Sequence, residues 1–129
     1  MAALVQVEAT ALLNASFGKV TFSAPTTPMM LRLMTANGSA TSAGTQVTGG
    51  TYTPQNLTTA LGTAASGSIT TTGIINFTLM PAVTVVGVEV WDSAGTPVRK
   101  WFGALTTSQT TNSGDTVSFA IGAITTTLV

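Results

Sequence analysis

Two residue types central to enzyme chemistry are missing from this sequence. It contains no histidine, the commonest general base and metal ligand, and no cysteine, so it has neither thiolate chemistry nor a disulfide framework. Charge is also scarce, because four basic and four acidic residues sum to zero over 129 residues. We therefore expect no catalytic residue, no metal ligand and no cofactor. A chain this neutral also lacks the electrostatic footprint of a nucleic-acid-binding protein, and without an apolar run near ~20 residues it is not expected to enter a membrane.

Threonine and serine replace charge as the source of polar surface. The chain has 27 threonines and 10 serines, and threonine both favours strands and presents a hydroxyl on an exposed face. An uncharged surface of this kind costs little to desolvate against a partner. The composition therefore favours a β-rich structural module that packs against other proteins.

One helix is predicted near the N-terminus. Apolar residues between Val5 and Phe17 recur at helical spacing, and Gly18 stands where a helix C-cap belongs. The β-prone stretch from Val7 to Thr10 leaves a strand as the alternative interpretation of the first residues.

Short strands follow at intervals of about ten residues, which is typical of sandwiches and barrels. Gly, Pro and Asn separate them, and a long small-residue loop covers 35–51. The sequence predicts a mainly β fold, either an antiparallel β-sandwich or a jelly-roll-like barrel. We expect one domain over 1–129, with a helix or arm at 1–18 and the sandwich at 19–129. The predicted strands are 29–34, 52–57, 68–72, 74–79, 83–91, 96–102, 116–120 and 123–129.

The clearest hairpin joins strands 83–91 and 96–102. Its turn ends at Gly95, which is predicted to take a positive φ. Pairing across the turn places Glu89 near Arg99, as an opposite-charge pair on the surface. Asp92 is predicted to cap the turn with its side chain. Glu89 and Asp92 are the two closest carboxylates, but strand alternation puts them on opposite faces, against a glycosidase pair.

Six residues are candidates for a contact surface with a partner. Large aromatic side chains anchor interfaces and sugar sites, and methionine forms adaptable apolar contacts. Packing within the core or across strands is the alternative for the aromatic residues and the methionines. The candidate interface residues are Met29, Met30, Tyr52, Trp91, Arg99 and Trp101.

The order of several short segments resembles a family of small structural proteins of tailed bacteriophages, described as tail-fibre-like or minor structural proteins. One departure is that the loop after Ala36 lacks the Asp-Pro usual in that family. The similar segments cover nearly the whole chain: 11–14, Ala24-Pro25, 31–36, Gly44 to Thr53, Val88 to Asp92, 103–107, Ser113 to Phe119 and 122–125.

This resemblance implies a component of the phage particle, made in the host cytoplasm and placed on the outer surface of the head or tail. The size of the chain favours a capsid-decorating protein that cements the head, with the major capsid protein as its partner. The alternatives are a minor tail or tail-fibre protein, in contact with other tail proteins, and a receptor- or carbohydrate-binding adsorption module. A homo-oligomer, most simply a trimer, is expected in the structural cases.

Overall fold

The computed structural model describes residues 3–128, so the parts of the predictions that fall on Met1, Ala2 and Val129 lie outside the described residues. A 3₁₀ turn at Thr58–Ala60 separates the fourth and fifth strands. In chain order the elements are β1 (Ala3–Leu4), α1 (Gln6–Ser16), β2 (Met30–Ala36), β3 (Thr45–Gln46), β4 (Gln55–Asn56), β5 (Ser68–Thr70), β6 (Ile75–Met80), β7 (Thr84–Trp91), β8 (Arg99–Thr110), β9 (Asp115–Phe119) and β10 (Thr125–Thr127).

The predicted helix is confirmed as α1, and its C-terminus has the expected glycine. Gly18 has a φ of +68°, a left-handed conformation that costs glycine little. It donates its N–H to the carbonyl of Ala15 at 3.0 Å, and Lys19 donates to Asn14 at 2.8 Å. These two hydrogen bonds form a Schellman motif, which ends the helix and turns the chain away.

The larger sheet has six strands in antiparallel pairs. β8, β7 and β2 lie side by side at its centre, β1 extends it beyond β8, and β3 and β4 both pair with β2. Alternation along the strands sets its two faces. Leu31 and Leu33 of β2 are fully buried on one face, while Arg32 points to the other, opposite Glu89 of β7.

Two strand pairs cover the apolar face of this sheet. β6 pairs with β9, and β5 pairs with β10, both antiparallel. The buried core lies between these pairs and the six-stranded sheet, around Phe77 of β6. The structure confirms the prediction of a mainly β fold. Because the sheets are open, the fold is consistent with the predicted β-sandwich rather than with a closed barrel. The core residues are Leu31, Leu33, Val47, Leu57, Ala60, Ile75, Phe77, Met80, Val85, Val88, Val90, Val117 and Ile124.

The hairpin of β7 and β8 is confirmed, but two of its details differ from the prediction. Gly95 does not have a positive φ, because the Asp92 carboxylate closes the turn by accepting hydrogen bonds from the N–H groups of Ala94 (3.3 Å) and Val98 (2.8 Å). The return strand also runs on to Thr110, since a bulge between the pairs Gly87–Ala104 and Val85–Gln109 keeps it in register.

The small-residue loop is shorter and more ordered than expected. β2 continues to Ala36, and β3 lies within the predicted loop and pairs with β2. Residues 37–44 fold back over the polar face of the sheet, where Gly38 and Gly44 meet side chains and backbone of the neighbouring strands.

Candidate functional site

The polar face of the six-stranded sheet contains a buried carboxylate, Glu89. Its side chain is 1% exposed. Oε1 accepts hydrogen bonds from Nη1 of Arg99 at 3.0 Å and from the N–H of Gly44 at 2.8 Å, and Oε2 accepts one from Nε1 of Trp91 at 2.9 Å. The prediction that Glu89 and Arg99 form an ion pair is confirmed. The prediction that the pair lies on the surface is wrong, because the loop 37–44 covers it.

Glycine at position 38 is what allows this covering. A Cβ on Gly38 would collide with Oε1 of Glu89 and would lie 2.7 Å from Nη1 of Arg99. The loop backbone therefore passes directly over the ion pair, with no room for a side chain. Loop and ion pair form one structural unit that joins residues 37–44 to β7 and β8.

A second ion pair attaches the helix to the sheet. Nζ of Lys100 lies 2.9 Å from Oε2 of Glu8, and the two side chains are 15% and 11% exposed. The backbone of Val5 also donates to the carbonyl of Lys100, at 3.1 Å. These contacts hold the start of α1 beside β8, while the rest of the helix packs little against the sheet.

Tyr52 lies on the apolar side of the sandwich. Its ring stacks on Phe77 with centroids 5.9 Å apart. Its hydroxyl accepts a hydrogen bond from the N–H of Leu33 at 2.9 Å and a longer one from Nε2 of Gln46 at 3.3 Å. Burial raises the pKa of the Tyr52 hydroxyl above its ordinary value, and these hydrogen bonds oppose that shift in part.

Met30 and Trp91 pair directly across β2 and β7, and Arg32 joins them. The guanidinium carbon of Arg32 lies 4.4 Å from the centroid of the Trp91 ring, which is a cation–π contact. Nη1 of Arg32 donates to Oε1 of Gln46 at 3.3 Å, whereas its buried Nε has no hydrogen-bond partner among residues 3–128. Methionine, arginine and tryptophan are the residue types enriched in protein interfaces.

Met29 and Trp101 line a different feature, an apolar cavity of about 240 Å³ that is open to solvent. It lies where the six-stranded sheet meets the β5–β10 pair. Among residues 3–128, no charged residue lines it. Its walls are Met29, Leu57, Leu61, Ile69, Val90, Trp101, Ile124 and Thr126. We call it the Met29–Trp101 cavity.

The structure thus divides the six predicted interface residues among three places. Met29 and Trp101 share the apolar cavity, and Met30 and Trp91 share the patch around Arg32. Tyr52 and Arg99 hold internal hydrogen bonds, so little of either side chain is left for a partner. These assignments to an interface stay a prediction.

A further exposed apolar surface was missed by the sequence reasoning. Among the described residues, five of the ten largely exposed large apolar side chains lie between positions 7 and 22. Phe17 is 77% exposed, although the helical spacing suggested a face packed against the core. Nothing in the local spacing distinguishes these exposed residues from core residues. We call these residues, Val7, Leu13, Phe17, Val20 and Phe22, the N-terminal apolar segment.

The acidic side chains are engaged in structural contacts. The carboxylate of Glu89 is occupied by three donors, and that of Asp92 by the turn that it caps. Within residues 3–128 no group of three potential metal-ligating side chains occurs. In the same range, no helix has the length and apolarity needed to span a membrane.

Comparison with known proteins identifies the family of this chain. A family model described as Podophage GP4 fiber I protein gp80 matches residues 3–127. The chain belongs to this family. It is therefore a tail-fibre-like component of a tailed-phage particle, as the resemblance in the sequence implied. A search of curated proteins gives no match.

The family favours one of the alternatives left open by the sequence. Its description is that of a phage fibre protein, which is a structural class. It supports the tail-fibre alternative better than the capsid-decorating interpretation that the sequence analysis placed first. The family match therefore shows a component of the phage particle.

Proposed function

We propose that this protein is a non-enzymatic subunit of a phage tail fibre, which joins the particle as a homo-oligomer, most simply a trimer, and contacts other tail proteins. The family match over residues 3–127 carries this proposal. The molecule also has the properties of an assembly module: it exposes the N-terminal apolar segment, and its net charge is zero.

Two features of the sandwich are consistent with a structural subunit of a fibre. The internal ion pair of Glu89 and Arg99 ties a covering loop to the central strands, and β7 and β8 together provide a long antiparallel pairing. In antiparallel sheets the hydrogen bonds between strands run perpendicular to the strands. The patch of Met30, Trp91 and Arg32 is a proposed contact surface for the tail.

The location is tested on intact particles. Antibody labelling or density from particles that carry a tagged copy is expected at the tail, and labelling over the head would overturn the fibre proposal in favour of capsid decoration. Particles that lack the protein are expected to retain their genome on heating. Loss of the genome at low salt or on heating, with normal attachment to cells, would support a cementing role instead.

A receptor-binding role is the second candidate, and the same particles address it. An adsorption module predicts that particles lacking the protein are complete but attach poorly to host cells, and that the purified protein competes with the phage. A structural subunit predicts incomplete fibres by electron microscopy, and the purified protein should not compete.

A further inference from the structure

Arg32 carries a positive charge that no described carboxylate of its own chain neutralises. Arg99 pairs with Glu89, and Lys100 pairs with Glu8; among residues 3–128 these are the ion pairs present, and Arg32 belongs to neither. Glu89 lies opposite Arg32 in the sheet, but three other donors already occupy its two oxygens. The polar face around Arg32, Glu89 and Arg99 therefore keeps one positive charge without a counter-charge.

The guanidinium of Arg32 is also short of hydrogen-bond acceptors. Nη1 donates to the neutral amide oxygen of Gln46 at 3.3 Å, and the buried Nε has no acceptor among residues 3–128. Nη2 has no acceptor in the same range either, but it is not buried. Because Arg32 is only half-buried, an anion can approach this nitrogen from solvent. A partly desolvated cation in this position gains from an anionic acceptor.

The Trp91 ring fixes the place of this guanidinium. The guanidinium carbon of Arg32 lies 4.4 Å from the ring centroid, and the indole Nε1 of Trp91 is itself held by Oε2 of Glu89 at 2.9 Å. A guanidinium that is already positioned by stacking loses less side-chain entropy when it binds a carboxylate. We call the four half-buried side chains at this place the Arg32 patch: Met30, Arg32, Gln46 and Trp91.

We infer that the Arg32 patch binds an acidic side chain of another tail protein, with the carboxylate against Nη2 of Arg32. Charge complementarity selects the carboxylate, and Met30 and Trp91 give the patch the composition of a protein interface. An acidic sugar fits less well, because a sugar would stack on the aromatic ring and the guanidinium already lies over it. This inference rests on the proposed function and names the chemistry of the partner.

NMR titration of the isotope-labelled full-length protein with a glutamate tripeptide, blocked at both ends, measures this binding. The indole N–H signal of Trp91 is expected to shift until the site is saturated. The signal of Trp101 should not move, because Trp101 lines the apolar cavity on the other face of the sheet. The matching glutamine tripeptide should shift neither signal. Added salt should weaken the binding, since the two groups have opposite charges.

Two variants separate the role of Arg32 from a general effect of charge. Arg32→Gln is expected to weaken binding of the glutamate peptide by about 10-fold or more. Arg32→Lys keeps the charge but loses the planar fork, so a smaller loss is expected. Lys19→Gln is the matched control, because it also removes one positive charge, from an exposed residue that belongs to neither ion pair. It should leave the affinity within about 2-fold of the unaltered protein.

Three results would overturn the inference. The first is a Trp91 signal that does not respond to about 20 mM glutamate peptide, and the second is an equal loss of affinity in Lys19→Gln. The third is tighter binding of glucuronate than of the peptide, which would point to an acidic sugar instead. These measurements do not depend on where the protein lies in the particle. Labelling over the head would overturn the proposed function and leave the measured carboxylate site in place.

Discussion

Arg99 and Glu89 form an ion pair inside the protein rather than on its surface. Nη1 of Arg99 lies 3.0 Å from Oε1 of Glu89, and the side chains are 9% and 1% exposed. The two residues are not opposite each other in the sheet, because Glu89 pairs with Phe102 and Arg99 pairs with Trp91 across a register shift. The ion pair therefore runs diagonally over the polar face, beneath the loop 37–44.

Replacement of Glu89 by leucine is expected to lower the free energy of unfolding by about 3–5 kcal/mol. The change leaves a buried guanidinium without its counter-charge and removes the acceptor for Gly44 and Trp91. Chemical denaturation measures the loss. The double variant Glu89→Leu/Arg99→Leu is the control, and it should recover part of the stability because no unpaired charge stays buried. A single variant within 1 kcal/mol of the unaltered protein would contradict the structural role of the pair.

Alanine at position 38 is expected to destabilise the protein by about 1–3 kcal/mol. The new Cβ would collide with the Glu89 carboxylate, and the loop would have to lift from the sheet. Gly95→Ala is the matched control, since a Cβ there meets no described atom within 4 Å and the φ is not positive. Thermal unfolding of both variants compares them. Equal melting temperatures would show that the loop does not lie against the ion pair.

Tyr52→Phe is expected to destabilise the protein at pH 7 and to have a smaller effect at alkaline pH. At pH 7 it leaves the buried N–H of Leu33 without its acceptor, which costs about 1–3 kcal/mol. The raised pKa of Tyr52 in the folded state means that the unfolded chain loses this proton first as pH rises. The contribution is complete below the unfolded pKa of about 10 and declines as pH rises through the folded pKa.

The measurement is the free energy of unfolding of both proteins between pH 7 and pH 11. The difference between the unaltered protein and Tyr52→Phe should shrink above pH 10, because phenylalanine does not titrate. A constant difference over this range would mean that the Tyr52 hydroxyl has the same pKa in both states.

Truncation of Phe77 to alanine is expected to cost about 3–5 kcal/mol. Phe77 is 1% exposed, and it stacks on Tyr52 and meets Phe119 edge-on, at centroid distances of 5.9 and 6.1 Å. Its removal leaves a cavity between the two layers that the neighbours fill only in part. Ile74→Ala, at a position 62% exposed, serves as control and should change stability by no more than about 0.5 kcal/mol. Similar losses in both variants would place the centre of the core elsewhere.

Local signals were sufficient for most elements of this fold. The helix with Gly18 after it, the hairpin of β7 and β8 and the turn capped by Asp92 each depend on residues within a few positions of one another. Such interactions are readable from spacing and turn chemistry. The positions of β3 and the extension of β8 to Thr110 were not predicted, because both depend on pairing with strands distant in the chain.

The candidate contact surfaces, too, could be predicted only in part from the sequence. Aromatic residues and methionines pointed to contact sites, and Met29 and Trp101 do line one cavity. Nothing local indicated that Tyr52 and Arg99 turn inward, or that Phe17 is left uncovered. Whether an apolar side chain is buried depends on which other element reaches it, and that is decided by the packing of the two layers.

The lack of histidine and cysteine, the scarcity of charge and the abundance of threonine were decisive without any structure, because composition alone limits the available chemistry and favours strands. The order of short segments likewise indicated the phage family. Only the tertiary structure decided where the few charges lie. Glu89 and Arg99 were predicted to pair on the surface, yet they pair beneath the loop 37–44, and the pair of Glu8 and Lys100 was not predicted. Burial of a charge requires a partner and a cover, and the cover of Glu89 comes from the loop 37–44, which is distant in the chain.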